Sequence, residues 1–336
     1  MSLIPIAPFI CVNLWREMKF TKIRASDFDL EKTLDSGQVF HWQKVGDGFV
    51  GAIGDLPVHV KQHGRTLRVE MEGGAPATPG SRRADNPSSQ ELAPPSVKIV
   101  ARYFALDHPL AEICGAFPKD PVMNAARDFC HGLRIIRQPK WECLATFICS
   151  SMKQVAHIRQ ISLALRKRFG ERRRIGDQLV YTFVSPQRLA QASEKELRDC
   201  KLGYRAKNLR ATARLVSFGQ ADTEAWSALS DVELRKQLCA LPGVGPKIAN
   251  CVMLFAYDRL RAFPIDVWIE RVLRQHYFSR RKKISAPRLR QFSETYFGKH
   301  GGYAQQYLFH QARMNGRNSD RSRDSSTPLR SARNDK

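Results

Sequence analysis

Across 336 residues, 55 lysines and arginines face 32 aspartates and glutamates, leaving a formal charge of +23 at neutral pH. A hydrophobic fraction of 43% with 9% aromatics excludes a wholly unstructured polycation, and the length suffices for one large domain or two to three small ones. Such an excess points to a polyanionic partner, because phosphate is the commonest acidic surface such a protein meets. A basic tail on a neutral domain does not explain it: residues 311–336 hold seven basic and three acidic side chains, a net of only +4. The eight cysteines are scattered with no CxxC pair, which suits reduced thiols and argues against a disulfide framework, a zinc site or an iron–sulfur cluster. No metal and no cofactor are expected.

Leu3 to Trp15 is an apolar run without a basic flank or a small-residue cleavage site, too short to span a bilayer. We read 1–19 as an N-terminal extension, with Met18 an alternative start, and expect no membrane association. Residues 20–71 read as strands. Val39–Val45, Phe49–Ile53, Leu56–Gln62 and Thr66–Met71 are separated by Gly46-Asp47-Gly48, Gly54-Asp55 and His63-Gly64-Arg65, the turn chemistry of an antiparallel meander. Sixteen of the twenty-five residues in 72–96 are Gly, Ala, Pro or Ser, so this stretch reads as a flexible insertion. Helical periodicity then runs to about Met314, with helices expected near 98–105, 109–116, 121–131, 140–150, 153–169, 186–193, 195–200, 205–217, 231–240, 246–257, 266–276, 286–298 and 301–313. Residues 315–336 lack an apolar period and read as a disordered tail. The expected fold is α+β: an antiparallel β subdomain (20–110) packed on a helical body (111–314) that contains a helix–hairpin–helix at 231–258.

The stretch Leu241-Pro-Gly-Val-Gly-Pro-Lys247 joins two of these helices. Gly243 and Gly245 permit a tight turn and close backbone approach, and Pro246 suits a first helical position. Amides at that helix start form an anion site, for which a nucleic-acid phosphate is the fitting occupant. An ordinary helical hairpin would look the same. Lys247 lies in the first turn, where the helix dipole and any burial favour the neutral amine, a nucleophile able to form a Schiff base. Nineteen residues on, Phe263-Pro-Ile-Asp266-Val places a lone carboxylate at a helix start, where an N-cap is its ordinary role.

GVGPK followed at this spacing by PIDV resembles the helix–hairpin–helix glycosylase superfamily. Within it the chain is similar to the 8-oxoguanine DNA glycosylases, through Ser36-Gly-Gln-Val-Phe-His-Trp42, Trp141-Glu-Cys-Leu-Ala-Thr-Phe-Ile-Cys-Ser-Ser151, Leu202-Gly-Tyr-Arg-Ala206 and Leu241–Val267. The likeness covers roughly 20–314 apart from 72–96. It implies that Lys247 attacks the sugar C1′, that Asp266 stabilises the cationic sugar, and that an imine then permits β-elimination. Gly37 would accept the N7 hydrogen of the oxidised base, Cys251 would pack against that base, and Gln305 and Phe309 would hydrogen-bond to it and stack on it. Tyr204 would wedge beside the estranged base, Arg205 would read it, and Met152 would fill the gap left by the flipped nucleotide. His157 stands where an arginine reading the opposite cytosine is usual, and Trp268 where a phosphate-binding histidine is usual. Gly243 and Gly245 would meet the DNA backbone. Basic runs at Arg166–Arg168, Arg172–Arg174 and Arg280–Lys283 would track phosphates or be solvated ends.

The implied activity is a bifunctional DNA glycosylase and abasic-site lyase of base excision repair, acting as a monomer on double-stranded DNA containing oxidised guanine, in a prokaryotic cytoplasm at the nucleoid. Two other readings compete. A monofunctional alkylpurine glycosylase would need the aspartate but no lysine, and a silent DNA-binding module would need neither.

Overall fold

The computed structural model describes residues 20–71, 95–278 and 284–324. The extension 1–19, most of the 72–96 stretch, the run at 280–283 and the last twelve residues lie outside them.

Five strands form one antiparallel sheet: β1 (Thr21–Arg24), β2 (Gln43–Val45), β3 (Gly48–Ile53), β4 (Leu56–His63) and β5 (Thr66–Met71), in the order β1-β5-β4-β3-β2. The turns at Gly46, Gly54 and Gly64 all adopt positive φ, so the meander follows from the two-residue turns seen in the sequence. Two corrections apply here. Residues 39–42 are a buried loop, with strand pairing beginning only at Gln43. A short helix, α1 (Leu30–Asp35), capped by the Asp29 side chain on Lys32 N at 2.9 Å, sits between β1 and β2. One sheet face packs on α2 (Pro95–Tyr103), whose Val97, Val100 and Tyr103 share a core with Trp42, Val58, Val60 and Leu67. Pro95 and Ser96, read as the end of the insertion, are thus the first turn of this helix.

The helical body comprises α3 (Leu110–Gly115), α4 (Pro121–Phe129), α5 (Lys140–Cys149), α6 (Val155–Phe169), α7 (Pro186–Gln191), α8 (Glu194–Asp199), α9 (Arg205–Ser217), α10 (Asp231–Cys239), α11 (Pro246–Ala256), α12 (Val267–Val272), α13 (Ala286–Tyr296) and α14 (Gly301–Asp324). Each coincides with an expected helix within a few residues at its start, and Ser and Asp N-caps at Asp120, Ser185, Ser193, Ser230 and Asp266 account for where several begin. Two features depart from expectation. An arginine-rich hairpin, β6 (Arg172–Ile175) with β7 (Gln178–Tyr181), interrupts the helices and packs Ile175 and Val180 against Val50 of the sheet. The last helix also runs to Asp324, past the expected end at Met314. Extending an already packed helix adds a hydrogen bond per residue without a new nucleation cost, and Gly316 lets it lie against the Trp268 ring, where a Cβ would come within 2.7 Å.

Residues 142–149 of α5 and 248–255 of α11 are buried on every side, as expected of central helices. They run antiparallel. Gln138 N donates to Phe255 O at one end, Phe147 and Phe255 stack at 5.4 Å, and at the other end the start of α11 meets the end of α5. That second end is where Lys247 lies.

Candidate active site

The hairpin between α10 and α11 is tight because Gly243 takes φ +82°, and a Cβ there would press on the Asn208 side chain at 2.8 Å. Thr212 Oγ1 of α9 donates to Pro242 O at 3.0 Å and pins the turn. Gly243 and Gly245 are both exposed, and Gly245 is the residue from which α11 springs. Lys247, two residues on, is half-buried. Its side-chain nitrogen lies over the Phe147 ring at 5.3 Å from the centroid, and its charge acts on the Cys251 thiol one turn along.

Asp266 caps α12 through Ile269 N at 2.9 Å, and its charge reaches Lys247 and Cys251. Burial lifts its carboxyl above the usual range, while the Ile269 N–H and the Lys247 ammonium partly oppose the lift. Burial likewise pushes the Cys251 thiol up to about 11, so it stays neutral beside the lysine. Asn250 Nδ2 donates to Phe263 O at 3.1 Å and fastens the Asp266 segment to α11. Lysine, thiol and carboxylate thus form one electrostatic unit.

A second cluster joins distant parts of the chain. Gly37 takes φ +83°, and a methyl group there would lie 3.0 Å from Phe309 Cε1 and 3.4 Å from Val155 Cγ2. Its loop is held by Gln38, whose side chain bonds to Thr33 O, Ser36 Oγ, Arg134 O and Ile136 N, and by Gln306 Nε2 on Ser36 O at 2.8 Å. Gln305 is buried, and its Oε1 has no protein partner among the described residues. A buried acceptor left open is costly unless something else fills it. Phe40, from the same loop as Gly37, packs edge-on against Phe147 at 6.1 Å, which connects this cluster to the lysine.

The third group faces outward. Met152 is 90% exposed at φ +51°, and Tyr204 is 60% exposed. His157 is exposed in the first turn of α6. Arg205 departs from expectation: it is buried, donating through Nε (2.7 Å) and Nη2 to Ser151 O and through Nη1 to Leu202 O (3.2 Å). No open guanidinium fork is presented for a base, because Ser151 O, just past the end of α5, and Leu202 O, just before α9, take its donors. Of the basic runs, among the described residues, only Arg166 is buried, while Lys167, Arg168, Arg172 and Arg174 are exposed. Arg166 is buried on Glu142, and Arg172–Arg174 lie on β6. Phe147, Gln38, Gln306 and Asn250 carried no separate signal in the sequence, although all four adjoin or lie within segments already singled out.

Residues 21–144 match the model of the 8-oxoguanine DNA glycosylase N-terminal domain, and 145–296 that of the HhH-GPD superfamily base excision DNA repair proteins. The chain belongs to the 8-oxoguanine DNA glycosylase family. It is 30% identical to the N-glycosylase/DNA lyase OGG1 of Arabidopsis thaliana over 91% of this chain and 84% of that protein. MBOgg1, solved with a low-affinity DNA ligand, superposes with a TM-score of 0.77 at 30% identity, covering 89% of this chain and all of that one. The 8-oxoguanine glycosylase/lyase of Clostridium acetobutylicum, solved with double-stranded DNA carrying cytosine opposite 8-oxoguanine, gives 0.77 at 27% identity over 89% and 98% of the two chains. Among the described residues no helix is long and apolar enough to cross a membrane, and no group of three His, Cys, Asp or Glu is placed to hold a metal ion.

Proposed function

We propose that this protein excises 8-oxoguanine from duplex DNA and cleaves the resulting abasic strand, with Lys247 as nucleophile. The observation that carries the reading is the Lys247–Cys251–Asp266 unit at the start of α11, beside a cluster that holds Gly37 against Phe309. In its neutral amine form Lys247 Nζ forms a bond to C1′ as the bond from C1′ to the base breaks; the departing base keeps the electron pair and takes up the proton that Nζ then releases. The Asp266 carboxylate faces the positive charge that develops on the sugar and supports the transition state electrostatically. Opening of the sugar ring gives an imine between Lys247 and C1′. Loss of a C2′ proton from that imine expels the 3′ phosphate.

The flipped base enters between Cys251 and Phe309, with Gln305 Oε1 open toward it and the Gly37 carbonyl accepting N7–H, a hydrogen that guanine lacks. Exposed Met152 and Tyr204 occupy the space the base leaves, and His157 faces the opposite strand. The exposed glycines of the hairpin and the helix start behind them receive a phosphate. The partner is double-stranded DNA with oxidised guanine, and the enzyme works as a monomer at the nucleoid. A monofunctional relative would not need a lysine electrostatically coupled to a thiol and a carboxylate, which favours the bifunctional reading over both alternatives.

The deciding experiment is borohydride reduction in the presence of an 8-oxoguanine:cytosine duplex. A covalent adduct is expected for the wild type and none for Lys247→Gln, with DNA binding retained. Undiminished adduct in Lys247→Gln would remove Lys247 from the nucleophile's role.

A further inference from the structure

We propose that Arg205 is a positioning residue, a clasp that assembles Met152 and Tyr204 into a single wedge before DNA arrives, and not a reader of the base opposite the lesion. The inference rests on the reading of this protein as a base-flipping repair enzyme.

A guanidinium has five N–H donors and no acceptor. Nε and Nη2 of Arg205 both reach Ser151 O, Nη1 reaches Leu202 O, and Nη2 also reaches Tyr204 Oη at 3.1 Å. The same group lies 4.3 Å from the centroid of the Tyr204 ring, within cation–π range. Hydrogen bonds and ring contact together fix the tyrosine, although most of its surface is in water. On the other side, the carbonyl that Arg205 grips directly precedes Met152. That methionine holds a left-handed backbone conformation, uncommon outside glycine, with its apolar side chain 90% exposed. Strain of this kind persists only where the surroundings impose it. Here the turn is closed by Lys153 N on Ser150 O at 3.2 Å and anchored by the paired donors of Arg205.

The charge also suits this place. Arg205 is the first residue of α9, whose opening turn has no acidic side chain, so the dipole of its own helix disfavours a cation there. The Ser151 carbonyl, just past the C-terminal end of α5, lies at the end of a helix dipole that favours one. A buried guanidinium thereby locks two exposed apolar side chains to two helices. Inserted apolar wedges act on stacking and do not depend on which base lies opposite.

The test is single-turnover excision of 8-oxoguanine opposite cytosine, adenine, guanine and thymine by wild type, Arg205→Ala, Met152→Ala and the double variant. A clasp predicts that Arg205→Ala slows excision by a similar factor, roughly tenfold, opposite all four bases. It also predicts that the double variant is within about twofold of the slower single variant, since both changes disable one device. A loss confined to cytosine, or fully multiplicative losses, would overturn the proposal. Should Arg205→Ala not fold, Arg205→Lys, which keeps the charge and one donor for Ser151, carries the same four-base comparison: an even loss supports the clasp and a cytosine-specific loss refutes it. Borohydride trapping on a duplex with a preformed abasic site separates this from the underlying reading. Arg205→Ala should retain most of that trapping because no base has to be extruded, whereas absence of trapping in the wild type would count against the enzymatic reading itself.

Discussion

Asp266 is held in conflict with its surroundings. Its carboxyl is lifted by burial, so the folded protein takes up its proton more readily than the unfolded chain does, and the ionised form costs stability as pH rises through the lifted value. Asp266→Asn should therefore abolish excision yet melt no lower than the wild type, since asparagine caps a helix as well as aspartate. Activity and thermal melting measured on one preparation decide this, and a markedly lower melting temperature would show that the charge is structural. The wild-type rate should also fall on acidification at a pH above the ordinary carboxylate range. Gly37 makes a comparable point about shape. Alanine there meets both a left-handed backbone, about 1–2 kcal/mol, and the Phe309 ring at 3.0 Å. Gly37→Ala should leave duplex binding intact and depress excision of 8-oxoguanine, which single-turnover rates would report. Opposite-base discrimination should be shallow, because Met152 offers no donor, His157 at most one, and Arg205 has spent four of its five inside the protein. His157→Arg should steepen the preference for cytosine by about tenfold, the smaller end of the roughly 1–3 kcal/mol carried by a bidentate contact; an unchanged four-base profile would place the reading elsewhere. At this scale the sequence disclosed residue types well and side-chain commitments poorly. Nothing in GYRA distinguishes a buried arginine from an exposed one.

Among the helices, amphipathic spacing and Ser or Asp caps were sufficient signals, as at Ser193 and Ser230, where capping boxes close both first turns. What escaped is instructive. The hairpin at 172–181 opens on three consecutive arginines, so its strand period is hidden, and Gly176-Asp177 was its only turn signal. The helix at 30–35 is shorter than two turns and was overshadowed by neighbouring strands. The polar end of α14 has no apolar period of its own and is helical because the preceding turns are packed. Truncation after Met314 should accordingly lower DNA affinity only modestly, since residues 311–336 carry a net +4 out of +23. It should also uncover the Trp268 ring that Gly316 now adjoins. Binding titrations and tryptophan fluorescence read the two effects separately. Loss of most DNA binding would move the positive field from the body to the tail.

Sheet and helical body are joined through a buried ionic knot. Arg166 of α6 pairs with Glu142 of α5 and donates to Tyr181 O of β7 at 2.9 Å, while His41 places Nδ1 3.3 Å from the same Glu142 oxygen and Nε2 2.9 Å from Ala52 O of β3. Burial and the Arg166 charge hold the imidazole well below its usual pKa, so it is neutral at physiological pH. Removing one partner strands the other without water. Glu142→Ala should destabilise the protein by about 3–5 kcal/mol, visible in a denaturant melt, whereas a loss under 1 kcal/mol would show that water enters and relieves Arg166. The α+β class and the order of the parts were readable from turn chemistry and period, but this knot was not. Its members are spaced from residue 41 to residue 181 and meet only when the parts dock.

The bond from Gln306 to Ser36 spans 270 positions of sequence. At a synthesis rate of about 5–20 residues per second, the Gly37 loop waits roughly 15–55 s for the helix that completes it. Throughout that interval the growing chain already contains Gly37 and then Lys247, yet the Phe309 side of the proposed base pocket has not been made. A ribosome stalled anywhere before Phe309 therefore holds a basic protein that can meet nucleic acid and has no finished pocket for a base. With Gln305 and Phe309 in the proposed roles, competence to cut arrives late in translation, in the few residues of α14 that close the pocket.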